Sequence, residues 1–340
     1  MTVMNRASGS LFGLALGDAL GAPVEFMNVR EILARFPPDG PLAPKGDPAR
    51  VTDDTQMALA VAEALVEASA AGPLTPRILE GPLRSAFVEW WKSPENNRAP
   101  GMTCLRSCER LAEGGVWQEA TQRGSKGCGA NMRVAPVALL SLDAGGYSVN
   151  SIGAISQFQA ALTHGHPTAL AASDLTASAV AYLLRGDEPR DLVSFLRAYA
   201  ESQRHVYHDE WLGSLWQGPY VDSPEQFIER GWDECTAVLE RLAAALEVPD
   251  RKSDPCLETG AGWIAEEALA TGLLCFLLFP EDPVKSLRRA AVTSGDTDSI
   301  ACLTGAFAGA YHGMDAWPRD WIERIEYRDR IDGLSRFFES

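Results

Sequence analysis

Apolar positions recur at helical spacing along most of the chain. Residues 56–68 (QMALAVAEALVEA) join strong helix propensity to an apolar stripe. Similar stretches cover 167–184, 191–200, 226–246, 265–279 and 300–311, with a shorter one at 134–141. Alternating β-branched runs are scarce, and no Asn-Gly or Asp-Gly pair lies between two strand-like runs. The pattern predicts an all-α fold. Loops are predicted at 36–51, 92–102 and 248–262, where Pro, Gly, Asp and Asn concentrate. Gly9, Gly13, Gly17 and Gly21 recur every four residues, as do Gly305 and Gly309. This spacing gives a helix one small face, against which another backbone can pack closely around a buried site.

Composition narrows the function classes. The 340 residues include 30 Lys and Arg against 46 Asp and Glu, a net charge of −16. Such a surface repels anionic membranes and non-specific nucleic acid. An anionic small ligand then needs a local positive device, either metal ions or backbone amides. Seven scattered cysteines imply reduced thiols, so a cytoplasmic location is expected. Cys104 and Cys108 lack a second pair at zinc-ligand spacing. The apolar run at 268–279 is too short for a bilayer span of about 20 residues, and no membrane association is expected.

Two acidic clusters stand at predicted helix starts: Thr52-Asp53-Asp54-Thr55 and Ser294-Gly295-Asp296-Thr297-Asp298-Ser299. Each is open to two readings. Asp, Thr and Ser cap helices and favour the dipole; they are also hard oxygen ligands suited to Mg²⁺, Mn²⁺ or Ca²⁺. Brought together, the clusters repel unless divalent cations intervene, and a carboxylate-bridged pair of ions is a common hydrolytic arrangement. A third feature, Gly124-Ser125-Lys126-Gly127-Cys128-Gly129-Ala130-Asn131-Met132-Arg133, is a Gly-rich turn whose amides suit phosphate. It has neither Walker spacing nor a βαβ context.

In order along the chain stand Gly17-Asp18-Ala19-Leu20-Gly21 with Glu25, Thr52–Thr55, Gly127–Arg133, Thr163-His164 and Gly295–Ser299. This set resembles the ADP-ribosylglycohydrolase family, which includes dinitrogenase reductase-activating glycohydrolases, over about residues 6–315. The resemblance implies a compact all-α enzyme with two divalent cations, Mg²⁺ or Mn²⁺. It implies Thr52, Asp53, Asp54, Asp296, Asp298 and Ser299 as metal ligands, with Asp298 bridging. Ser299 stands where some relatives carry Thr, and either hydroxyl can ligate. It further implies Glu25 as an acidic gate or proton carrier beside the metals. The loop Ser125–Met132 (Ser125, Gly127, Cys128, Gly129, Asn131, Met132) matches the pyrophosphate-binding loop, and His164 lies near ADP-ribose.

The reaction implied is hydrolysis of the bond between ADP-ribose and a modified protein side chain, releasing ADP-ribose, with Asp53 handling the attacking water. ADP-ribosyl-arginine is the favoured substrate, because the Lys-Gly-Cys-Gly form of the loop resembles the arginine-directed branch. ADP-ribosyl-serine, or another O-linked form, is one alternative. A non-catalytic ADP-ribose binder or structural protein of the same fold is another, as is a different metal hydrolase acting on ADP-ribose itself.

Smaller features keep plain readings beside functional ones. Lys126 and Arg133 can neutralise pyrophosphate, or Arg133 can pair with a carboxylate. Trp263 can stack on adenine or fill the core; Trp90 and Trp91 read as core, and His166 as structural. Because the two acidic clusters lie far apart in sequence yet must meet, one integrated domain over 1–340 is expected. It takes the form of an orthogonal helical bundle with metals at helix N-termini, and a monomer.

Overall fold

The computed structural model describes residues 5–142 and 147–339. Twelve of its helices reach eight residues or more: α1 (Arg6–Gly21), α2 (Asp53–Ser69), α3 (Pro76–Lys92), α4 (Met102–Glu113), α5 (Val149–Ala161), α6 (Pro167–Leu184), α7 (Leu192–Gln203), α8 (Pro224–Glu247), α9 (Ala265–Leu277), α10 (Pro283–Ala290), α11 (Thr297–His312) and α12 (Arg328–Glu339). Among the described residues only isolated β-bridges occur, so the fold is all-α. No single described helix is long and apolar enough to cross a membrane.

The most apolar stretches form the centre. All eighteen residues of α6 are buried, as expected of a helix apolar on every side. Around it one hydrophobic cluster runs from Ala7 in α1 to Phe338 in α12 and joins both ends of the chain.

The glycine stripes explain the tightest contact. Helices α1 and α11 run antiparallel, with Gly9 against Gly309, Gly13 against Gly305, Gly17 against Ala301 and Gly21 against Thr297. A methyl group on Gly13 falls 2.2 Å from the Gly305 carbonyl oxygen, and one on Gly17 falls 2.0 Å from that of Ala301. Only backbone fits between these helices. The contact carries the end of α1, and with it Glu25, to the start of α11.

Several helices have less obvious patterns. The buried face of α4 is Cys104, Ser107, Cys108 and Leu111, which is helical spacing written in small residues. In α3, Gly81 and Pro82 interrupt an otherwise regular apolar face of Leu79, Leu83, Phe87 and Trp90. The segment predicted at 134–141 is a short α-helix, Ala135–Leu139, followed by a 3₁₀ turn, Leu140–Leu142. Inside the predicted 248–262 loop lies a short helix, Cys256–Thr259.

Candidate active site

Helices α2 and α11 begin with the two acidic clusters, and their first turns absorb more of each cluster than the sequence pattern implies. Asp53 and Asp54 lie inside the first turn of α2, and Asp298 and Ser299 inside that of α11. The capping work at α2 falls mainly on other groups. Thr52 Oγ1 accepts from the Asp54 amide at 3.4 Å. Buried Asp18, on α1, accepts from the Thr52 amide at 2.9 Å, from the Thr55 amide at 3.1 Å and from the Thr55 hydroxyl. Asp53 and Asp54 are thus free for other duties. At α11 the N-cap Asp296 makes no side-chain cap bond either. Asp298 Oδ1 accepts from the Ser299 amide at 3.0 Å, but capping does not account for the rest of the cluster. Asp18 is a residue whose role the sequence pattern hides, because it interrupts an apolar run with no partner nearby in sequence.

The carboxylate oxygens of Glu25, Asp296 and Asp298 lie within 4.8 Å of one another. Asp53 accepts from the Gly101 amide at 3.3 Å, which brings the predicted 92–102 loop over the cluster. Arg98 from that loop bonds Glu326 and the Val51 carbonyl, and so fastens the approach to Thr52. One oxygen of Asp54 is buried without a hydrogen-bond partner.

So many carboxyls in a dry space cannot all ionise alone. Burial, then the Asp298, Asp53 and Asp18 charges, pushes Glu25 up to about 9. Burial, followed by Asp298, lifts Asp18 and Asp53 to about 7 each. Burial and Asp298 likewise raise Asp54 and Asp296 well above the usual carboxylate range. The carboxylates and hydroxyls offer oxygen donors, one Asp54 oxygen is orphaned, and among the described residues no Lys or Arg pairs with these carboxyls. A hard divalent cation fits this arrangement.

The Gly-rich turn packs against the same cluster through residues 260–265. The Cys128 amide donates to the Trp263 carbonyl at 3.1 Å, the Ala265 amide to Lys126 at 2.9 Å, and the Asp296 amide to Ala261 at 2.8 Å. One short segment therefore links the turn to the second acidic cluster. Gly262 has φ +82°, and a side chain there would collide with Ile300. Ser125, Gly127 and Gly129 are half-buried and line the turn's open side, whereas Cys128, Asn131 and Met132 are buried beneath it. Asn131 Nδ2 donates to the Ala265 carbonyl at 3.1 Å.

His164 is also beneath the turn. Its Nδ1 meets the Thr163 hydroxyl at 2.8 Å, and its ring supports Gly127 and Gly129. Burial and the nearby Arg133 push its pKa well down, so it is neutral. His166 accepts from the Thr168 amide at 3.2 Å and caps α6, a structural role.

Lys126 and Arg133 differ from the expectation that they neutralise pyrophosphate. Lys126 Nζ is already shared between Glu234, at 2.7 Å, and Glu266. Arg133 is fully buried and, among the described residues, has no carboxylate partner. It donates to Gln159, Gly129 and Thr163 and stacks on Phe87. Trp90 is core, as expected, and its Nε1 donates to Gln56. Trp263 is not core: it is 44% exposed and stacks on exposed Phe26 with ring centroids 5.5 Å apart.

Two clefts border residues of the site. One, of about 530 Å³, is lined by Glu25 and Thr52 among others. The other, of about 790 Å³, includes Ser125 in its wall.

Comparison with known proteins places the chain among related enzymes. The chain is 28% identical to bovine ADP-ribosylhydrolase ARH3, covering 98% of this chain and 92% of that protein. It is 28% identical to the ADP-ribosyl-[dinitrogen reductase] glycohydrolase of Rhodospirillum rubrum, covering 98% and 96%. Identity is 25% to the ADP-ribosylarginine hydrolase Tri1 of Serratia proteamaculans, covering 98% and 78%. A solved structure titled "ADP-ribosylglycohydrolase-related protein complex" superposes with a TM-score of 0.66 at 25% identity, covering 99% and 98%. The family model for ADP-ribosylglycohydrolase matches residues 1–340, and the chain belongs to that family of enzymes.

Proposed function

We propose that the protein hydrolyses the glycosidic bond joining ADP-ribose to a modified protein side chain, with ADP-ribosyl-arginine as the preferred substrate. The carrying observation is the convergence of Glu25, Asp296 and Asp298 within 4.8 Å, beside the orphaned Asp54 oxygen. Thr52, Asp53, Asp54, Asp296, Asp298 and Ser299 would hold two divalent cations, Mg²⁺ or Mn²⁺. When bound, such ions supply Lewis-acid polarisation of the ribose hydroxyls.

The chain's own groups then have these tasks. Ser125, Gly127 and Gly129 bind the pyrophosphate on the open side of the turn. Cys128, Asn131, Met132 and His164 hold the turn's shape from below. Asp53 orients or deprotonates the attacking water, and Glu25 holds a proton for the departing acceptor. The anomeric carbon develops oxocarbenium character as the bond breaks, and the acidic wall favours that positive charge.

Arginine preference is supported by the name of the Serratia relative and by the mouth of the site. Exposed Phe26 and Trp263 beside Glu25 offer aromatic faces and negative charge, which suits a guanidinium. The seven cysteines are unbridged, which supports a cytoplasmic setting.

The test is an assay of acceptor-defined peptides, ADP-ribosylated on arginine or on serine, with Mn²⁺, Mg²⁺ or chelator. Release of ADP-ribose with an intact arginine peptide is expected, at a rate at least tenfold above the serine peptide. Asp53→Asn and Asp298→Asn should each lower kcat by 10²-fold or more, on the order of a general base or charge-stabilising group, and should weaken Mn²⁺ binding. Full activity in both variants, or release of AMP, would overturn the reading.

A further inference from the structure

The Gly-rich turn has two ends, and the structure distinguishes them. At one end the Cys128 amide donates to the Trp263 carbonyl and the Met132 carbonyl accepts from the Cys302 thiol of α11, the helix that starts with the second acidic cluster. At the other end the Ser125 hydroxyl meets Thr103 at 2.9 Å and enters the wall of the 790 Å³ cleft. A ligand with its distal ribose at the acidic cluster and its pyrophosphate on the turn therefore directs its adenosine past Ser125 into this cleft. The cleft's volume exceeds what a nucleoside fills and lies within the range of sites for larger ligands.

The cleft's charge is unusual for this protein. Its wall carries Arg106, Arg110 and Arg123 against one carboxylate, Glu119, in a chain of net charge −16. Arg123 is held in place by the Leu215 and Gln217 carbonyls. Arg106 and Arg110 are one turn apart on α4, so they share a face. Both are exposed, and among the described residues neither has a carboxylate within ion-pair distance. Among the described residues twelve of the 25 arginines have acidic partners, Arg84, Arg98, Arg197, Arg204 and Arg330 among them. Two adjacent guanidinium groups without partners, facing a cleft next to a phosphate loop, form a fork suited to a further phosphate.

We infer that Arg106 and Arg110 form an anion subsite for a phosphate monoester on the adenosine ribose. The ligands it selects are ADP-ribosyl groups phosphorylated at that sugar over those with a free hydroxyl. This rests on the ADP-ribose reading of the site.

The experiment compares direct binding of ADP-ribose and ADP-ribose 2′-phosphate to the Mn²⁺-loaded protein at low and high salt. The phosphorylated ligand should bind roughly 10-fold tighter at low salt, the combined worth of two partly exposed charge pairs. High salt should shrink that ratio. The Arg106→Ala/Arg110→Ala double variant should bring the ratio close to one while leaving ADP-ribose affinity within about twofold. Both residues are exposed, so the variant's melting temperature should match that of the wild type. Arg106→Glu/Arg110→Glu should invert the preference. Equal affinities in the wild type, with ADP-ribose bound, would overturn the inference alone. Failure of ADP-ribose itself to bind would overturn the ADP-ribose reading and this inference with it.

Discussion

At the scale of single residues, the buried carboxylates fall into two kinds. Those at the acidic cluster face one another, whereas Asp174, in the middle of α6, stands alone. Asp174 is fully buried and accepts from Gln157 Nε2 at 2.9 Å, from Tyr199 Oη at 2.8 Å and from Ser178 Oγ at 3.4 Å. No charged group is among the influences on it, and burial raises its pKa to about 6. A folded-state pKa raised above the unfolded one means that the fold prefers the proton. The stability this provides is complete below the unfolded value near 4 and is lost as pH rises through about 6. At pH 8 the ionised form costs on the order of 3 kcal/mol. Asp174→Asn removes that cost, and a flip of the Gln157 amide turns its otherwise unpartnered Oε1 toward the new NH2 as acceptor. The variant should melt higher than wild type at pH 8 and lose that advantage at pH 4.5. An equal shift at both pH values would show that ionisation of Asp174 plays no part.

At the scale of elements, the glycine stripes decide whether the site exists, because they set the spacing of α1 and α11. Gly305→Ala places a methyl group 1.9 Å from the Gly13 carbonyl oxygen. Backbone must then move along the whole contact, and overpacking of this kind costs about 1–3 kcal/mol or more. The variant should lower the melting temperature and weaken Mn²⁺ binding together, since Gly21 and Asp298 ride on the same pair of helices. Gly333→Ala in α12 is the control, because apart from its neighbours and its own helix backbone no atom lies within 4 Å of the added methyl group. Helix propensity alone should then raise stability by roughly 0.5–1 kcal/mol. A tolerated Gly305→Ala would show that the α1–α11 spacing is adjustable.

The same scale shows what the sequence makes legible. Helices with Ala- and Leu-rich faces, such as α2, α6 and α9, match their patterns to within a few residues. The glycine repeats correctly announce a close approach, although the partner stripe is legible only when both are read together. In α4 the buried face is mostly Cys and Ser, and in α12 charged residues crowd around Ile331, Leu334 and Phe338, so the period is faint. The acidic clusters and the Gly-rich turn are evident as motifs. What joins them is not: Asp18 acts through backbone amides 34 and 37 positions away, and residues 260–265 act through their own backbone atoms. Such roles depend on where the chain returns in space, and residue types do not record that. Lys126 is the converse case. Its charge suggests a phosphate partner, but Glu234 and Glu266, each more than a hundred positions away, occupy it.

At the scale of the whole molecule, the acidic cluster makes stability depend on pH and metal together. Its carboxyls come from both ends of the chain, so their repulsion acts directly against closure of the fold. Without metal, Asp18 and Asp53 sit at about 7 and Glu25 at about 9, all above their unfolded values. Raised pKa values stabilise the fold fully below pH 4, and that stabilisation is lost as pH rises through 7 to 9. In chelator, the melting temperature should therefore fall between pH 6 and pH 9. Metal ligation has the opposite sign, because it requires ionised carboxylates. Added Mn²⁺ should stabilise more at pH 9 than at pH 6, reaching about 2.7 kcal/mol when free metal is 100-fold above Kd. Melting curves at both pH values, in chelator and in Mn²⁺, should thus show a steep pH dependence that metal flattens or reverses. Parallel slopes in the two series would mean that the cations do not take up the charge of this cluster. In that case the convergence of Glu25, Asp296 and Asp298 would need another counter-charge, and the ligand assignment would fail with it.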